Sequence, residues 1–171
     1  MSQPELTRST TVDDIDWSQW QAKDLATLVF VIDGESVLLI RKKRGLGAGK
    51  VNGPGGRVEG DESLAECAVR ECQEELHVTP QQVSERGRLR FQFLDGYSLD
   101  VHVFRALAHE GTAQETDEAI PLWTAFEDIP YDEMWQDDAL WLPRMLEGRT
   151  FDGRFIFDGD EMTSHRLDLS F

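Results

Sequence analysis

The sequence predicts a single α/β domain in which a mixed sheet packs between helices. Three observations lead to this class. Short apolar runs with the alternation of strands occur both before and after the centre of the chain, an amphipathic helical segment lies between them, and a second helical segment comes late. A length of 171 residues, of which 40% are hydrophobic, is enough for one domain with a buried core.

Residues 1–22 are interpreted as a polar N-terminal arm, and residues 23–171 as the domain itself. Asp16 can cap a short helix that carries Trp17 and Trp20. Because two tryptophans are costly to leave in water, the arm is expected to dock on the protein. The first ten residues contain neither the basic nor the apolar region of a secretion signal, so a cytoplasmic protein is expected.

Two apolar runs, Leu25 to Ile32 and Val37 to Ile40, are predicted as buried strands joined by a turn at Asp33-Gly34. Even the longer run is too short to span a bilayer, so no membrane partner is expected. A glycine-rich loop follows, from Arg41 to Gly56. Glycine lets the backbone approach a ligand closely, and this loop gains interest because it leads directly into an acidic helix.

The segment from Gly56 to Val78 is predicted to form that helix. Asp61 or Ser63 can cap its start. A buried stripe recurs at every fourth position, at Leu64, Ala68, Cys72 and Leu76. Cys67 and Cys72 are five residues apart, about 140° around the helix, so they are expected to remain reduced rather than to pair.

Three glutamates crowd one arc of the predicted helix. Glu71, Glu74 and Glu75 stand at i, i+3 and i+4, where like charges cost roughly 0.2–0.5 kcal/mol per pair. The arc is either a solvated acidic face or a site for a hard divalent cation, since Mg²⁺ prefers carboxylate and phosphate oxygens.

The remaining chain alternates between strand and helix patterns. The predicted elements are a hairpin of Arg88 to Leu94 and Leu99 to Val103 around Asp95-Gly96, a strand from Ala119 to Phe126, a helical segment from Trp135 to Leu142 with a kink at Pro143, and a last hairpin of Phe151 to Phe157 and Leu167 to Phe171 around Asp158-Gly159.

The charge distribution favours a small anionic ligand. A net charge of −16 argues against a nucleic-acid polymer, whose phosphates are held by basic surfaces. Yet Ser36 to Val58 contains six basic residues and no acid, while Ala106 to Pro143 contains ten acids and no Lys or Arg. A basic patch within an acidic protein suits a small polyanion that arrives with its metal; the alternative is that the basic residues only end a strand at the surface.

The spacing of the helix residues identifies a family. Gly56, Glu62, Arg70-Glu71 and Glu74-Glu75 together resemble the Nudix box, with His77 in place of the glycine that usually follows the last glutamates. His tolerates the left-handed conformation that such a glycine would adopt at the end of the helix. The resemblance implies a Nudix-type α/β/α sandwich and a pyrophosphohydrolase.

From about Thr27 onward the chain resembles the animal-type oxidised-purine nucleoside triphosphatases within that family. The shared pieces are KKRG at Lys42, NGPGG at Asn52, VHVF at Val101, TDE at Thr116 and IPYDEMWQDD at Ile129. This chain has Leu46, Val51 and Pro54 where that type has aromatic residues, which predicts a looser pocket.

The resemblance implies a role for each matching residue. Mg²⁺, with Mn²⁺ as an alternative, would be held by the Gly55 carbonyl, Glu71, Glu74, Glu75 and Glu118. Catalysis would involve Glu74, Glu118 and Arg70, with the general base left open among the glutamates. The base pocket would contain Asn52, Phe91, Phe93, Trp135, Asp137 and Asp138. By residue type rather than by resemblance, Lys42 or Arg57 could steady the phosphates, and Thr27 is counted among the expected substrate-binding residues.

Each of these roles has a simpler alternative. Trp135 could be an ordinary core residue, Asp137 and Asp138 could cap a helix, and Lys42 and Arg57 could face solvent. The implied activity is metal-dependent hydrolysis of oxidised purine nucleoside triphosphates, such as 8-oxo-dGTP, to monophosphate and pyrophosphate by a monomer. The alternatives are hydrolysis of another nucleoside diphosphate derivative, or a non-catalytic nucleotide sensor.

Overall fold

The secondary structure follows the predicted order, with nine strands and two α-helices in residues 3–171, which are the part of the chain that the computed structural model describes. The helices are α1 (Leu64–Leu76) and α2 (Asp138–Leu146). The strands are β1 (Asp24–Asp33), β2 (Ser36–Lys42), β3 (Val51–Asn52), β4 (Gly55–Arg57), β5 (Thr79–Phe93), β6 (Ser98–Glu110), β7 (Ala119–Ala125), β8 (Thr150–Asp158) and β9 (Glu161–Ser170). No helix within residues 3–171 is long and apolar enough to cross a membrane.

Several element boundaries differ from the prediction. The helical turn in the arm is a 3₁₀ turn at Val12–Asp14, and Asp16 does not cap a helix. The Asp16 carboxylate instead accepts hydrogen bonds from the amide and hydroxyl of Ser18, at 3.1 and 2.5 Å, because a short acidic side chain readily closes a local turn. Phe126 begins a 3₁₀ turn rather than ending β7. The glycine-rich loop contains two strands, β3 and β4, too short to show a sequence period.

The chain forms two compact units, each assembled from separate stretches of sequence. The first unit contains residues 3–25, 87–101 and 136–171, and the second contains residues 26–86 and 102–135. Strands β1, β5 and β6 contribute residues to both units.

In the second unit, helix α1 packs its apolar stripe against strands. Strand β2 pairs antiparallel with β1, β3 and β7, and β1 pairs antiparallel with β4. Ala68, Cys72 and Leu76 are fully buried in one cluster with Val29, Val31, Leu38, Ile40, Val78, Phe104, Ala106 and Ala119. Both cysteines are free thiols, as predicted, and both are fully buried. Burying this stripe turns the glutamates of α1 to the helix surface next to β4.

In the first unit, strands of opposite orientation meet. Strand β5 pairs parallel with β8 from Gly87 to Phe93, and β8 pairs antiparallel with β9. Helix α2 packs on β8, where the Trp141 and Phe151 rings stack with centroids 5.0 Å apart. Parallel and antiparallel pairings together with helices confirm the predicted α/β class and mixed sheet.

The N-terminal arm contributes to the core of the first unit. Val12 and Ile15 are buried with Ile156, and Trp17 and Trp20 pack against this cluster. The indole nitrogen of Trp20 donates to Gln92 Oε1 at 2.8 Å. Arg8 forms ion pairs with Asp158 and Glu161. The expectation that the arm docks on the protein is therefore fulfilled, while the domain boundary after residue 22 remains a prediction.

The docked arm should contribute measurably to stability. Trp20→Phe removes the donor to Gln92, so we expect the free energy of unfolding to fall by about 1 kcal/mol. Trp123→Phe is a matched control, since Trp123 is 41% exposed, and it should change stability by less than about 0.5 kcal/mol. Urea denaturation of both variants tests this; equal stabilities would show that the arm is only loosely attached.

Candidate active site

Helix α1 begins and ends in ways that its sequence explains. Of the two candidate caps, Ser63 is the one used: its hydroxyl accepts from the Glu66 amide at 3.1 Å, and the Glu66 carboxylate accepts from the Ser63 amide at 2.8 Å. His77 ends the helix in the left-handed conformation, with φ of 62°. The histidine in the place of the usual glycine therefore preserves the helix end.

Three carboxylates from two separate chain segments converge beside α1. Glu71 and Glu75 lie one turn apart on the helix, and Glu118 comes from the segment before β7. One carboxylate oxygen from each lies within 4.8 Å of the others. Glu71 and Glu75 are buried, with 9% and 5% of their surface exposed. We call these three residues the carboxylate cluster.

The predicted ligand and base Glu74 lies outside the carboxylate cluster. Its side chain is 53% exposed and forms an ion pair with Arg70 at 3.1 Å. Glu74 lies about 100° around the helix from Glu75 and about 60° from Glu71, so the turn that buries Glu71 and Glu75 leaves it at the solvent edge.

Burial gives the carboxylate cluster the electrostatics of a cation site. Loss of solvent raises the pKa of Glu75 to about 8, with a further contribution from Glu71. Burial also raises the pKa of Glu71, although its bond to Arg70 opposes the shift. Lys42 is the cation whose charge acts on all three carboxylates, and burial lowers its own pKa. Three converging hard oxygen donors, of which Glu71 and Glu75 are buried, fit a divalent cation, which would relieve their repulsion.

Arg70 organises the helix face next to the carboxylate cluster. Its guanidinium forms two parallel bonds to Glu62, at 2.9 and 2.7 Å, and donates to Glu71 at 2.8 Å. It also donates to the carbonyl of Arg57 at 3.2 Å. The bidentate bond lowers the pKa of Glu62 to about 2. Arg70 thus fixes the Glu71 carboxylate and explains the spacing of Glu62 from Arg70 in the motif.

Two glycines permit the helix and the loop to approach each other. The Gly55 amide donates to Glu75 Oε2 at 3.3 Å, and a Cβ at Gly55 would lie 2.0 Å from the carbonyl oxygen of Thr27. A Cβ at Gly56 would lie 2.5 Å from the carboxyl carbon of Glu71. Any larger residue would therefore displace the carboxylate cluster or β1.

The predicted substrate residues of the second unit occupy different places around this loop. Lys42 Nζ donates to the Leu46 carbonyl at 2.8 Å. Asn52 Oδ1 accepts from the Gly53 amide at 2.8 Å, Thr27 donates to Cys67 Sγ at 3.3 Å, and the Arg57 side chain is exposed.

The predicted base-stacking residue Trp135 is packed under the glycine-rich loop. Lys50 Nζ lies 5.1 Å from the centre of its ring, and a Cβ at Gly47 would lie 2.8 Å from its indole nitrogen. Gly47 has φ of +80°, so the loop depends on glycine there for its backbone as well.

The other predicted base-pocket residues belong to the first unit. Phe91 stacks on Phe155 at 5.3 Å, and Phe93 is packed against Phe157 at 5.8 Å. Asp137 and Asp138 are 1% and 3% exposed at the start of α2.

The helix-cap alternative for Asp137 fails on geometry. Its backbone is already helical, with φ of −70° and ψ of −27°, and its side chain makes no capping bond. Oδ2 instead accepts from the indole nitrogen of Trp141 at 2.9 Å, and the buried Oδ1 has no hydrogen-bond partner among the described residues. Burial raises the pKa of Asp137 to about 6 against the effect of Trp141. A buried carboxyl oxygen without a partner suits a hydrogen-bonding group of a ligand.

The sequence did not single out the basic residues that hold Glu118. The Arg44 guanidinium bonds the Glu118 carboxylate at 3.1 Å, and the Lys43 amide donates to the Glu118 carbonyl at 3.0 Å. The signal was present in the charge pattern, because an acid-free basic stretch and a base-free acidic stretch are complementary. Their pairing depends on the antiparallel contact of β2 with β7, which sequence periodicity does not reveal.

The raised pKa of Glu75 predicts how the free energy of unfolding of the metal-free protein depends on pH. Because the folded pKa of Glu75 lies above its unfolded value of 4.5, the folded state binds more protons between pH 4.5 and about 8. The free energy of unfolding should therefore fall as pH rises through this window, by at most about 1.4 kcal/mol per pH unit. Glu75→Gln should remove this slope. The measurement is urea denaturation of the wild-type protein and Glu75→Gln between about pH 5 and about pH 8.5 in the presence of a chelator. If the free energy of unfolding depends on pH in the same way in both proteins, the raised pKa of Glu75 is not the cause of the slope.

A domain family and two known proteins are similar to this chain over most of its length. A model of the NUDIX domain matches residues 22–145. The chain is 44% identical over 146 residues to the oxidized purine nucleoside triphosphate hydrolase of Danio rerio, covering 84% of this chain and 94% of that relative. It is 39% identical over 145 residues to the Mus musculus protein of the same name, covering 84% and 93%.

A solved structure supports the same assignment. The crystal structure of a MutT protein from Bacillus halodurans matches with a TM-score of 0.77 and 28% identity, covering 85% of this chain and 97% of that one. This similarity confirms the predicted sandwich fold.

Proposed function

The chain belongs to the Nudix family, and from that premise we propose that it hydrolyses oxidised purine nucleoside triphosphates, such as 8-oxo-dGTP, to the monophosphate and pyrophosphate. The observation that carries the proposal is the carboxylate cluster, in which Glu71, Glu75 and Glu118 converge within 4.8 Å beside the Nudix helix. The relatives from Danio rerio and Mus musculus, aligned over nearly their whole length, support the choice of substrate.

We propose Mg²⁺ as the metal of this site, with Mn²⁺ as a substitute. Glu71, Glu75 and Glu118 would hold it, with the Gly55 carbonyl, and Glu74 would complete the set from the solvent edge. When bound, the metal neutralises phosphate oxygens and lowers the pKa of a coordinated water. Arg70 keeps Glu71 oriented toward this position through its 2.8 Å bond.

Residues around the carboxylate cluster would bind the phosphates and accept a proton from the attacking water. Lys42, close enough for its charge to act on all three carboxylates, can exchange its bond to the Leu46 carbonyl for a phosphate oxygen. Arg57 is exposed at the end of β4 and can contact the outer phosphates. Glu118 or Glu74 takes the proton from water; the place of Glu118 in the cluster favours it over the outlying Glu74.

The purine would be recognised by the aromatic and acidic residues. Trp135 supplies a flat ring on which a base can stack, a contact worth roughly 1–3 kcal/mol per base. In the first unit, the buried Asp137 and Asp138 would offer hydrogen-bonding groups to a base edge, and Phe91 and Phe93 would offer apolar surface. In the second unit, Asn52 would offer a further hydrogen-bonding group. Thr27 completes the set. We further propose a cytoplasmic monomer.

A substrate panel tests the proposal. Pyrophosphate release should be measured with Mg²⁺ for 8-oxo-dGTP, dGTP, a nucleoside diphosphate sugar and a dinucleotide, with Glu75→Gln as the inactive control. We expect the highest kcat/KM for 8-oxo-dGTP. A preference for either diphosphate derivative would assign the chain to another Nudix activity, and binding without turnover of any compound would indicate a nucleotide sensor.

A further inference from the structure

The carboxylate cluster joins two segments that are distant in sequence, so a contact between them must fix its geometry. The segment before β7 is bonded to the last turn of α1. The amide of Gln114 donates to the carbonyl of Leu76 at 2.9 Å, and the hydroxyl of Thr116 donates to the carbonyl of Glu75 at 2.7 Å. Carbonyls in the last turn of a helix lack partners within the helix, which leaves them available for this attachment.

A single hydroxyl links the main chains of two cluster residues. While Thr116 Oγ1 donates to the Glu75 carbonyl, it also accepts from the Glu118 amide at 3.2 Å. Lys43 holds the same segment on its other side: Nζ donates to the Thr116 carbonyl at 2.8 Å and to Glu115 at 2.5 Å. Glu118 is therefore restrained through its backbone, independently of its own carboxylate.

We propose that Thr116 is a positioning residue for the metal site, and that its hydroxyl, supported by Lys43, holds Glu118 against Glu75 before the cation binds. The proposal deepens the metal-binding part of the proposed function. Holding Glu118 in place in advance favours metal binding, because the conformational entropy of Glu118 is lost when the protein folds rather than when the cation binds. Residues that orient ligands without touching the metal typically change metal affinity about 10- to 100-fold when they are replaced.

Isosteric substitution isolates the hydroxyl. Thr116→Val keeps shape and charge but removes both hydrogen bonds, whereas Thr116→Ser keeps them. Mn²⁺ binding to the substrate-free protein can be followed by the electron paramagnetic resonance signal of the free ion. We expect the Kd for Mn²⁺ to rise about tenfold or more in Thr116→Val and to stay close to wild type in Thr116→Ser.

Thr124→Val is the matched control. It also removes a hydroxyl bonded to a backbone carbonyl, that of Leu122 at 2.9 Å, but on β7 away from the carboxylate cluster. A purely structural role for Thr116 would lower the melting temperature of both Thr→Val variants and leave the Kd for Mn²⁺ unchanged in the folded proteins.

Lys43→Gln tests the proposal by the sign of its effect. Removing a positive charge near a cation site should tighten Mn²⁺ binding if simple electrostatics governs it. If Lys43 acts by holding the Thr116 segment, binding should weaken instead. Arg41→Gln removes an equal charge two residues earlier in the chain. Arg41 bonds Glu133 and the Gly49 carbonyl and makes no bond to the Thr116 segment, so its variant shows the effect of losing a nearby charge without loss of that support. Should Thr116→Val fail to fold, this comparison decides the question.

The outcomes separate this proposal from the proposed function. Wild-type Mn²⁺ affinity in folded Thr116→Val, or tighter binding in Lys43→Gln, overturns the role of Thr116 whatever the substrate is. Weakened binding in both variants supports it, even if the substrate panel shows that 8-oxo-dGTP is not hydrolysed. No Mn²⁺ binding by the wild-type protein would overturn the metal site and this proposal together.

Discussion

Glu75→Gln is expected to lower turnover of 8-oxo-dGTP by at least about 100-fold, because it replaces a buried carboxyl group that we propose as a metal ligand. Glu71→Gln should have a similar effect. Neither variant should lose stability, since a neutral amide in a buried site with two other carboxylates relieves repulsion. The measurement is kcat and KM at limiting Mg²⁺, together with urea denaturation in a chelator.

The response to metal provides the control for this expectation. Mg²⁺ should raise the melting temperature of the wild-type protein, because a ligand that binds only the folded state stabilises it, and should fail to do so in Glu75→Gln. Glu74→Gln is the informative comparison, since Glu74 lies at the solvent edge and should retain part of this stabilisation. Full activity of folded Glu75→Gln at limiting Mg²⁺ would falsify the metal assignment.

The second large effect is expected at the aspartates of α2. The pairing edge of 8-oxoguanine presents an acceptor at O6 and donors at N1 and N2, so one aspartate must be protonated to satisfy all three. Because burial raises the pKa of Asp137, we predict that Asp137 is the proton-bearing member. Asp137→Asn should be tolerated, because an amide can donate to O6 and still accept from Trp141. Asp138→Asn should cost roughly 1–3 kcal/mol, about 5- to 150-fold in kcat/KM.

The pH dependence distinguishes the two aspartates. If protonated Asp137 donates to O6, then kcat/KM for 8-oxo-dGTP should decline as pH rises above the pKa of Asp137, since deprotonation leaves O6 facing a negative charge. Asp137→Asn should lose this decline. Small and equal losses in Asp137→Asn and Asp138→Asn, with unchanged pH profiles, would remove both residues from purine recognition.

Patterns over a few neighbouring residues predicted the helix face and the tight turns, whose conformations depend mainly on those residues. The four-residue stripe from Leu64 to Leu76 gave the buried face of α1, and Asp33-Gly34 and Asp95-Gly96 gave tight turns in which Gly34 and Gly96 adopt positive φ. The first half of β5 was not predicted because residues 79–87 are mostly polar and include Pro80, so that stretch shows no hydrophobic alternation.

The candidate site shows the same division between local and distant effects. The Nudix spacing predicted Glu71, Glu74 and Glu75 as ligands, and the structure brings Glu71 and Glu75 together with Glu118 but leaves Glu74 outside the carboxylate cluster. The sequence did not separate Glu74 from the other two, since the three positions span one arc. Its outward position depends on the burial of the neighbouring stripe. Similarly, the hydroxyl of Thr116 acquires a role only because the segment before β7 meets the end of α1. Such contacts between distant segments leave no periodic signal.

The buried thiols of α1 have a consequence for resistance to oxidants. Peroxides react with the thiolate form of cysteine, and burial raises the pKa of Cys72 to about 12 and also raises that of Cys67. Both side chains are buried, so the folded protein disfavours both the thiolate form and the access of an oxidant. A protein that removes oxidised nucleotides would therefore keep its own catalytic helix chemically intact under the conditions that generate its substrate.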